Sequence, residues 1–150
     1  MRRLTWFLVV ALSGASAGCS GDDPSPSDTS YAASSGGTGT ANGAETLNGC
    51  DAATAEDHTG DATVTIATSG LGYSPACVKV KAGTQVTFNS DFAIHPLRGG
   101  DASSREEDES SPIEATDSGT TIAFAFPSAG AFGFYCNIHA PSMAGAVFVE

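Results

Sequence analysis

Four side chains that bind soft metals lie in two short stretches of the sequence. Cys136, His139 and Met143 fall within eight positions near the C-terminus, and His95 ends an apolar run further upstream. Two imidazole nitrogens, one thiolate and one weak axial thioether form the ligand set of blue-copper electron-transfer sites. Zinc also binds Cys and His, but thioether is not among its usual ligands, so the set favours copper.

The residues from Asp61 onward predict the strands that would position these ligands. Apolar and polar residues alternate in short segments separated by turn residues, which predicts an all-β domain, a sandwich or a barrel. Ala82 and Gly83 are predicted to form a hairpin-like break between two of the strands. The residues predicted to face inward are Val64, Ile66, Val78, Val80, Val86, Phe88, Ile122, Phe124, Phe126, Phe132, Phe134, Cys136, Val147 and Val149.

The N-terminus has the features of an export signal. Arg2 and Arg3 precede an apolar run at residues 4–12 and a stretch of small residues, which predicts a signal peptide over residues 1–18. Residues 16–19 are similar to a bacterial lipoprotein box, which would attach lipid to Cys19, while residues 15–17 also fit an ordinary cleavage site. We expect an exported protein, either periplasmic or an outer-membrane-anchored lipoprotein, whose contact with the membrane is through the lipid anchor alone.

A linker and a folded domain are predicted to follow the signal. Residues 19–49 are almost all Gly, Ser, Thr, Ala, Pro, Asp and Asn, a composition that predicts a disordered, flexible linker. The folded domain is then predicted over residues 50–150.

The four cysteines are predicted to have separate roles. If Cys19 carries lipid and Cys136 binds metal, Cys50 and Cys77 remain, and an exported protein is expected to join such a pair in a disulfide. Two free buried thiols are the alternative.

The acidic charge of the chain restricts its partners. The formal net charge is −11, and loss of Arg2 and Arg3 with the signal leaves 17 acidic against 4 basic residues, a charge of −13. A nucleic-acid-binding protein would need a basic patch, so this class is excluded, whereas basic redox partner proteins would be attracted. The acidic segment at residues 98–119 is predicted to be a surface loop or short helix, or a docking patch for such a partner. His58, which precedes the first predicted strand, is expected to be exposed.

The sequence resembles the cupredoxins, specifically the plastocyanin and amicyanin-like blue copper proteins, over residues 61–150. Residues 88–97 are similar to the segment that carries the family's first histidine, residues 134–143 to its ligand loop, and residues 145–149 to its final strand. The resemblance implies a Greek-key β-sandwich with His95, Cys136 and His139 as ligands and Met143 as the axial ligand. It also implies that His139 lies at the solvent edge, surrounded by apolar residues such as Pro96, Ala140 and Pro141, and passes electrons there.

The predicted function is one-electron transfer by a single type 1 copper ion. We expect no enzymatic activity, because the sequence offers neither a second metal cluster nor a separate catalytic base. A copper carrier or sequestering module is the first alternative, although such proteins benefit from exposed ligands and Met-rich or His-rich tracts. A metal-free adhesion or scaffolding sandwich is the second.

Overall fold

A computed structural model describes residues 45–150, which form twelve strands in three sheets and contain no helix. The strands are β1 Thr46–Leu47, β2 Cys50–Asp51, β3 Glu56–Asp57, β4 Thr63–Ser69, β5 Gly72–Ser74, β6 Cys77–Val80, β7 Gln85–Asn89, β8 Leu97–Asp101, β9 Glu106–Glu107, β10 Thr121–Ala125, β11 Gly130–Cys136 and β12 Ala144–Val149. Nothing in this part of the chain is a helix of the length and apolarity that crossing a membrane requires. The predicted signal peptide, the predicted lipid anchor at Cys19 and the predicted linker up to residue 44 lie outside the described residues.

Two larger sheets form the body of the fold. The four-stranded sheet has the order β10-β7-β4-β5 and the six-stranded sheet the order β3-β6-β12-β11-β8-β9, while β1 and β2 form a small hairpin. Strand β4 is parallel to β7, and β6 is parallel to β12. Neither pair is consecutive in the chain, so the connection between its two strands passes through other strands. Crossing connections of this kind are typical of Greek-key sandwiches, and the predicted all-β Greek-key β-sandwich is confirmed.

The main core lies between the two larger sheets. Alternate residues of each strand point to opposite faces, so the apolar residues of the two sheets meet on the inside. Ile66 and Phe88 of the four-stranded sheet and Val78 and Phe134 of the six-stranded sheet are almost completely buried in one cluster. The Phe88 and Phe134 rings contact each other across the sheets edge to face, with centroids 5.0 Å apart. The predicted inward-facing residues are all in or against this cluster.

The connection at Ala82 and Gly83 differs from the predicted hairpin-like break. Strand β6 belongs to the six-stranded sheet and β7 to the four-stranded sheet, so the connection crosses from one sheet to the other. Gly83 has a φ of 94°, and its amide donates to the Phe126 carbonyl at 2.7 Å. Both strands bury alternate residues in the same core from opposite sides, which produces the same alternation as a hairpin.

Residues 45–49, predicted as the end of the linker, belong to the folded domain. The Asn48 side chain donates hydrogen bonds to the carbonyl oxygens of Gly100, Phe134 and Gly145, at 2.9, 3.2 and 3.1 Å respectively. Composition predicted a linker here because the stretch is poor in apolar residues. Its attachment depends in part on one polar side chain, which donates hydrogen bonds to three strands.

A disulfide joins Cys50 of β2 to Cys77 of β6, as predicted. Cys50 packs with Ala146 and Phe148 of β12 in a second, smaller cluster. These residues alternate with the core-facing Val147, so the cluster lies on the outer face of the six-stranded sheet. The disulfide therefore holds the N-terminal hairpin against that face.

The acidic segment after Arg98 contains strands, where a loop or short helix was predicted. Strands β8 and β9 form an antiparallel pair, and Leu97 also pairs with Thr116. The Arg98 guanidinium lies 3.2 Å from a Glu107 carboxylate oxygen and 2.6 Å from one of Asp117. Arg98 thus ties two acidic parts of the segment to the sheet.

Candidate metal centre

His95 lies in a tight turn between β7 and β8. The Asp91 carbonyl accepts hydrogen bonds from the amides of Ile94 and His95, at 3.1 and 2.8 Å. Phe92 at the start of the turn and Leu97 after its end are both buried in the core. The apolar residues around His95 thus anchor both ends of the turn and fix the position of the imidazole.

Cys136, His139 and Met143 lie on one short loop between β11 and β12. The Cys136 amide donates to the Met143 carbonyl at 2.9 Å, which closes the loop at its base. Within the loop, the His139 amide donates to the Cys136 carbonyl at 3.2 Å, and the Met143 amide donates to the His139 carbonyl at 3.1 Å. We call residues 136–143 the ligand loop.

The ligand loop and the His95 turn are held together by the sheet. Cys136 pairs with Leu97 in the register of β11 and β8, only two residues from His95. The amide of Asn137 also donates to the Pro96 carbonyl at 2.8 Å. Residues separated by 41 positions in the chain are therefore brought side by side.

Three ligand atoms converge at the meeting point of the two loops. The Nδ1 atoms of His95 and His139 are 3.2 Å apart, and the Cys136 Sγ lies 3.9 Å from the first and 3.3 Å from the second. The point equidistant from the three atoms lies about 2.0 Å from each, close to metal–nitrogen bond lengths in protein sites. One thiolate and two imidazoles form a donor set for a soft or borderline metal, so the residues fit a copper ion.

This is the one such group in the part of the chain that the structure describes. Within residues 45–150, no other three His, Cys, Asp or Glu side chains bring ligand atoms within 4.8 Å of one another. His58 is not a member of the group. It is half-buried rather than exposed as predicted, because Asp61 and Glu56 bind its two ring nitrogens.

The four predicted ligands differ in burial. Cys136 and Met143 are fully buried and belong to the same core cluster, while His95 and His139 are half-buried. The sulfur of Cys136 therefore faces the two imidazoles from the interior, and the imidazoles lie at the edge of the core. The backbone hydrogen bonds of Met143 to Cys136 and His139 keep this residue next to both of them in the chain fold.

The surface beside the imidazoles is apolar. Not all of the residues that the resemblance implied contribute to it. Ile94 and Ile138, the chain neighbours of His95 and His139, are each 56% exposed. Pro141 is exposed as expected. Ala140 is buried, because it packs against Ala102 and Tyr135 on the outer face of the sheet.

Sequence reasoning missed one residue that contacts the ligand loop. The Arg105 guanidinium donates hydrogen bonds to the carbonyl oxygens of Asn137 at 3.3 Å and Ala140 at 2.7 Å. Its position as the one base among seven acidic residues between Arg98 and Gly119 was the available signal. That pattern indicates a special role but not the group that it contacts.

Comparisons with known proteins place these residues in a family. Residues 60–150 match the family described as copper binding proteins, plastocyanin/azurin family. No curated protein gives a significant sequence match.

Several solved structures are similar to the chain. A purple cupredoxin from Nitrosopumilus maritimus is 23% identical, covers 58% of this chain and 99% of its own, and has a TM-score of 0.46. Amicyanin from Paracoccus versutus is 22% identical, covering 60% of this chain and 83% of its own, with a TM-score of 0.43. A copper-containing nitrite reductase from Thermus scotoductus SA-01 is 22% identical over 59% of this chain, which spans only 22% of that protein, with a TM-score of 0.45.

The family match includes both loops of the metal centre. It begins before β4 and contains His95, Cys136, His139 and Met143. It covers more than half of the sequence, and the predicted cupredoxin resemblance is confirmed. The chain is therefore a member of the plastocyanin/azurin family of copper-binding proteins.

Proposed function

We propose that this protein is a one-electron carrier with a mononuclear type 1 copper site. His95, Cys136 and His139 would hold the ion, and Met143 would be its weak axial ligand. The observation that carries the proposal is the convergence of one Sγ and two Nδ1 atoms, all within 3.9 Å of one another. A bound copper ion would supply one-electron chemistry by alternating between Cu(I) and Cu(II).

The surroundings of the ligands support electron transfer. The Cys136 side chain is inaccessible and belongs to the main core, and backbone hydrogen bonds close both loops. Such a shell would keep the donor atoms in the same arrangement whether the bound ion is Cu(I) or Cu(II). Little rearrangement is then required between redox states, and the apolar shell around the sulfur sets the potential.

The burial of Cys136 also supports electron transfer over delivery of the ion. A copper carrier must exchange its ligands with those of a partner, which is easiest when they are exposed. The fully buried Cys136 favours a carrier of electrons. We assign no enzymatic reaction to the site.

We further propose that electrons pass at the surface formed by Ile94, Ile138, Pro141 and the edge of His139. Redox partners with a basic surface would be attracted to the acidic protein, and the acidic side chains of residues 101–117 would contribute to that attraction. The rate of electron exchange with a basic partner should then fall as ionic strength rises. A rate that does not change with salt would contradict this part of the proposal.

The cellular location is a proposal from the N-terminal sequence. Residues 1–18 would direct export, and lipid on Cys19 would anchor the protein to a membrane through the linker that follows, in the periplasm or on the outer membrane. Partition into a detergent phase that is lost in Cys19→Ala would support the anchor. Equal partition of the variant and the wild type would contradict it.

Spectroscopy of the full chain with added Cu(II) tests the proposed site. Intense thiolate-to-copper charge transfer and a narrow hyperfine splitting in electron paramagnetic resonance are expected. Cys136→Ser should abolish the charge-transfer band. Met143→Leu, which preserves size in the core, should retain the band but shift its energy and the reduction potential. A colourless wild-type protein that binds zinc instead would overturn the proposal.

A further inference from the structure

We infer that Arg105 is a positioning residue, which holds the ligand loop in place around His139. It belongs to the turn between β8 and β9, not to the loop that it contacts. The importance of this contact for copper rests on the proposed function. Its effect on the loop itself does not, because the contact is made by the protein alone.

The two hydrogen bonds of Arg105 bracket the second imidazole. One terminal nitrogen donates to the carbonyl of Asn137 and the other to the carbonyl of Ala140, so His139 lies between the two accepting residues. A guanidinium is planar and presents its donors as a rigid fork, which suits a pair of acceptors. One terminal nitrogen of the fork therefore binds the loop before His139 in the sequence, and the other binds it after His139.

The remaining hydrogen bonds of this stretch show what Arg105 adds. The His139 carbonyl already accepts from the Ser142 hydroxyl at 2.7 Å and from the Met143 amide at 3.1 Å. The carbonyls of Asn137 and Ala140 receive their hydrogen bonds from Arg105 instead. Loss of its side chain would leave these two carbonyls to water, and the loop would open more often.

The backbone of Arg105 is unusual for this residue type. Its φ is 60°, a left-handed conformation that Gly and Asn adopt far more readily. The Asp101 carboxylate accepts hydrogen bonds from the amides of Ser103 and Ser104, at 2.7 and 3.0 Å, and thereby fixes the turn before it. The turn itself would accept a smaller residue, so the long side chain of Arg105 is better explained by its contact with the loop.

Amide hydrogen exchange of the metal-free full chain tests this inference. Arg105→Asn keeps a residue that tolerates the left-handed backbone but is too short to reach the carbonyls. We expect the amides of His139 and Ala140 to exchange about three to ten times faster in this variant, the change that loss of one or two modest hydrogen bonds would produce. The amides of Val64 and Ile66 in β4 should be unchanged, which would show that the fold is intact.

Two further variants separate the effect of the two directed hydrogen bonds of Arg105 from the effect of its positive charge. Arg105→Lys keeps the charge on a single donor group without the fork, so its exchange should lie between those of the wild type and Arg105→Asn. Lys81→Asn makes the matched loss of charge elsewhere. Lys81 follows β6, whose Val80 pairs with Val149, at the end of β12 away from the ligand loop. This control should leave loop exchange unchanged.

The copper-loaded protein gives a second readout. Release of copper to a strong chelator should be faster in Arg105→Asn by a factor similar to the change in loop exchange, and unchanged in Lys81→Asn. Unchanged exchange at His139 and Ala140 in Arg105→Asn would overturn the inference, as would an equal acceleration at all amides. If the wild type forms no blue copper site, the proposed function fails, while the exchange experiment still decides the role of Arg105.

Discussion

At the scale of single residues, the Tyr73 hydroxyl is the exception in a well-paired interior. Among residues 45–150, it is the one buried side-chain oxygen or nitrogen without a hydrogen-bond partner. The ring packs edge to face against Phe134, with centroids 5.0 Å apart. Burial, followed by the nearby Cys136 charge, raises the pKa of Tyr73 well above its ordinary value, so the phenol stays neutral at physiological pH.

Tyr73→Phe should stabilise the protein, because it removes an unpaired buried hydroxyl and keeps the aromatic contact. The expected gain in the free energy of unfolding is about 1 kcal/mol. Urea denaturation of the two proteins measures it, with Tyr73→Leu as the control that also removes the ring contact. A loss of stability in Tyr73→Phe would show that the hydroxyl has a partner in solution.

His58 makes stability depend on pH at a site away from the metal centre. Its Nδ1 lies 2.9 Å from an Asp61 carboxylate oxygen and its Nε2 lies 3.1 Å from one of Glu56. The hydrogen bond to Asp61, assisted by Glu56, raises the pKa of His58 above its ordinary value near 6.5. The resulting stabilisation is fully present below the unfolded-state pKa and is lost as pH rises through the higher folded-state pKa.

His58→Gln should remove this pH dependence. Both carboxylates are largely exposed, with side-chain accessibilities of 62% and 57%, so solvent screens the pair and its contribution is about 0.5 kcal/mol. Wild type should lose that amount as pH rises from below the unfolded-state pKa through the folded-state pKa of His58, measured by urea denaturation, and the variant should not. The same slope in both proteins would show that another group is responsible.

At the scale of elements, the N-terminal hairpin is attached to the sheet by few residues. Asn48 donates to carbonyls of β8, β11 and the second residue of β12, and its side-chain oxygen accepts from the Ala102 amide at 2.8 Å. Gly133 makes room for it, because a Cβ there would lie 2.6 Å from the Asn48 side-chain nitrogen. One side chain thus bridges three strands, two of which lead into or out of the ligand loop.

Asn48→Gly should lower the free energy of unfolding by about 2 to 3 kcal/mol, because several partly buried hydrogen bonds are lost together. Gly accepts the φ of 53° at this position, so the change reports the side chain and not backbone strain. Thr46→Gly, in the same hairpin but exposed, is the matched control. Equal effects of the two substitutions in urea denaturation would contradict a specific role for Asn48.

At the scale of the whole molecule, the disulfide and the candidate metal centre lie in different clusters of buried residues. Cys50 and Cys77 belong to the cluster on the outer face of the six-stranded sheet, whereas Cys136 belongs to the main core. The crosslink closes a loop of 27 positions, for which chain entropy predicts a stabilisation of roughly 3 to 4 kcal/mol. That is a large share of the stability of a domain of this size.

The double variant Cys50→Ala with Cys77→Ala should therefore lose roughly 3 to 4 kcal/mol of unfolding free energy. Its copper spectrum should match that of the wild type, since the ligand atoms lie in the other cluster. Denaturation and visible spectra of the same samples measure both effects. A changed spectrum in the folded variant would show that the crosslink also acts on the metal centre.

The sequence by itself determined the chemistry and the local pattern of this protein. The types and spacing of Cys136, His139 and Met143 indicated a copper ligand loop, and period-two alternation identified the inward faces of the strands. The pairing of Cys50 with Cys77 followed once the other cysteines had roles. These features are local or depend on residue type, so the order of residues is sufficient to reveal them.

Only the tertiary structure decided which strands pair and which distant groups meet. Alternation predicted a break at Ala82 and Gly83 but could not show that β6 and β7 lie in different sheets, because either arrangement buries the same residues. The contacts of Asn48 and Arg105 with backbone carbonyls, and the approach of His95 to Cys136, join positions separated by tens of residues. Backbone acceptors are the same in every residue, so no pattern in the sequence marks the ones that a side chain will reach.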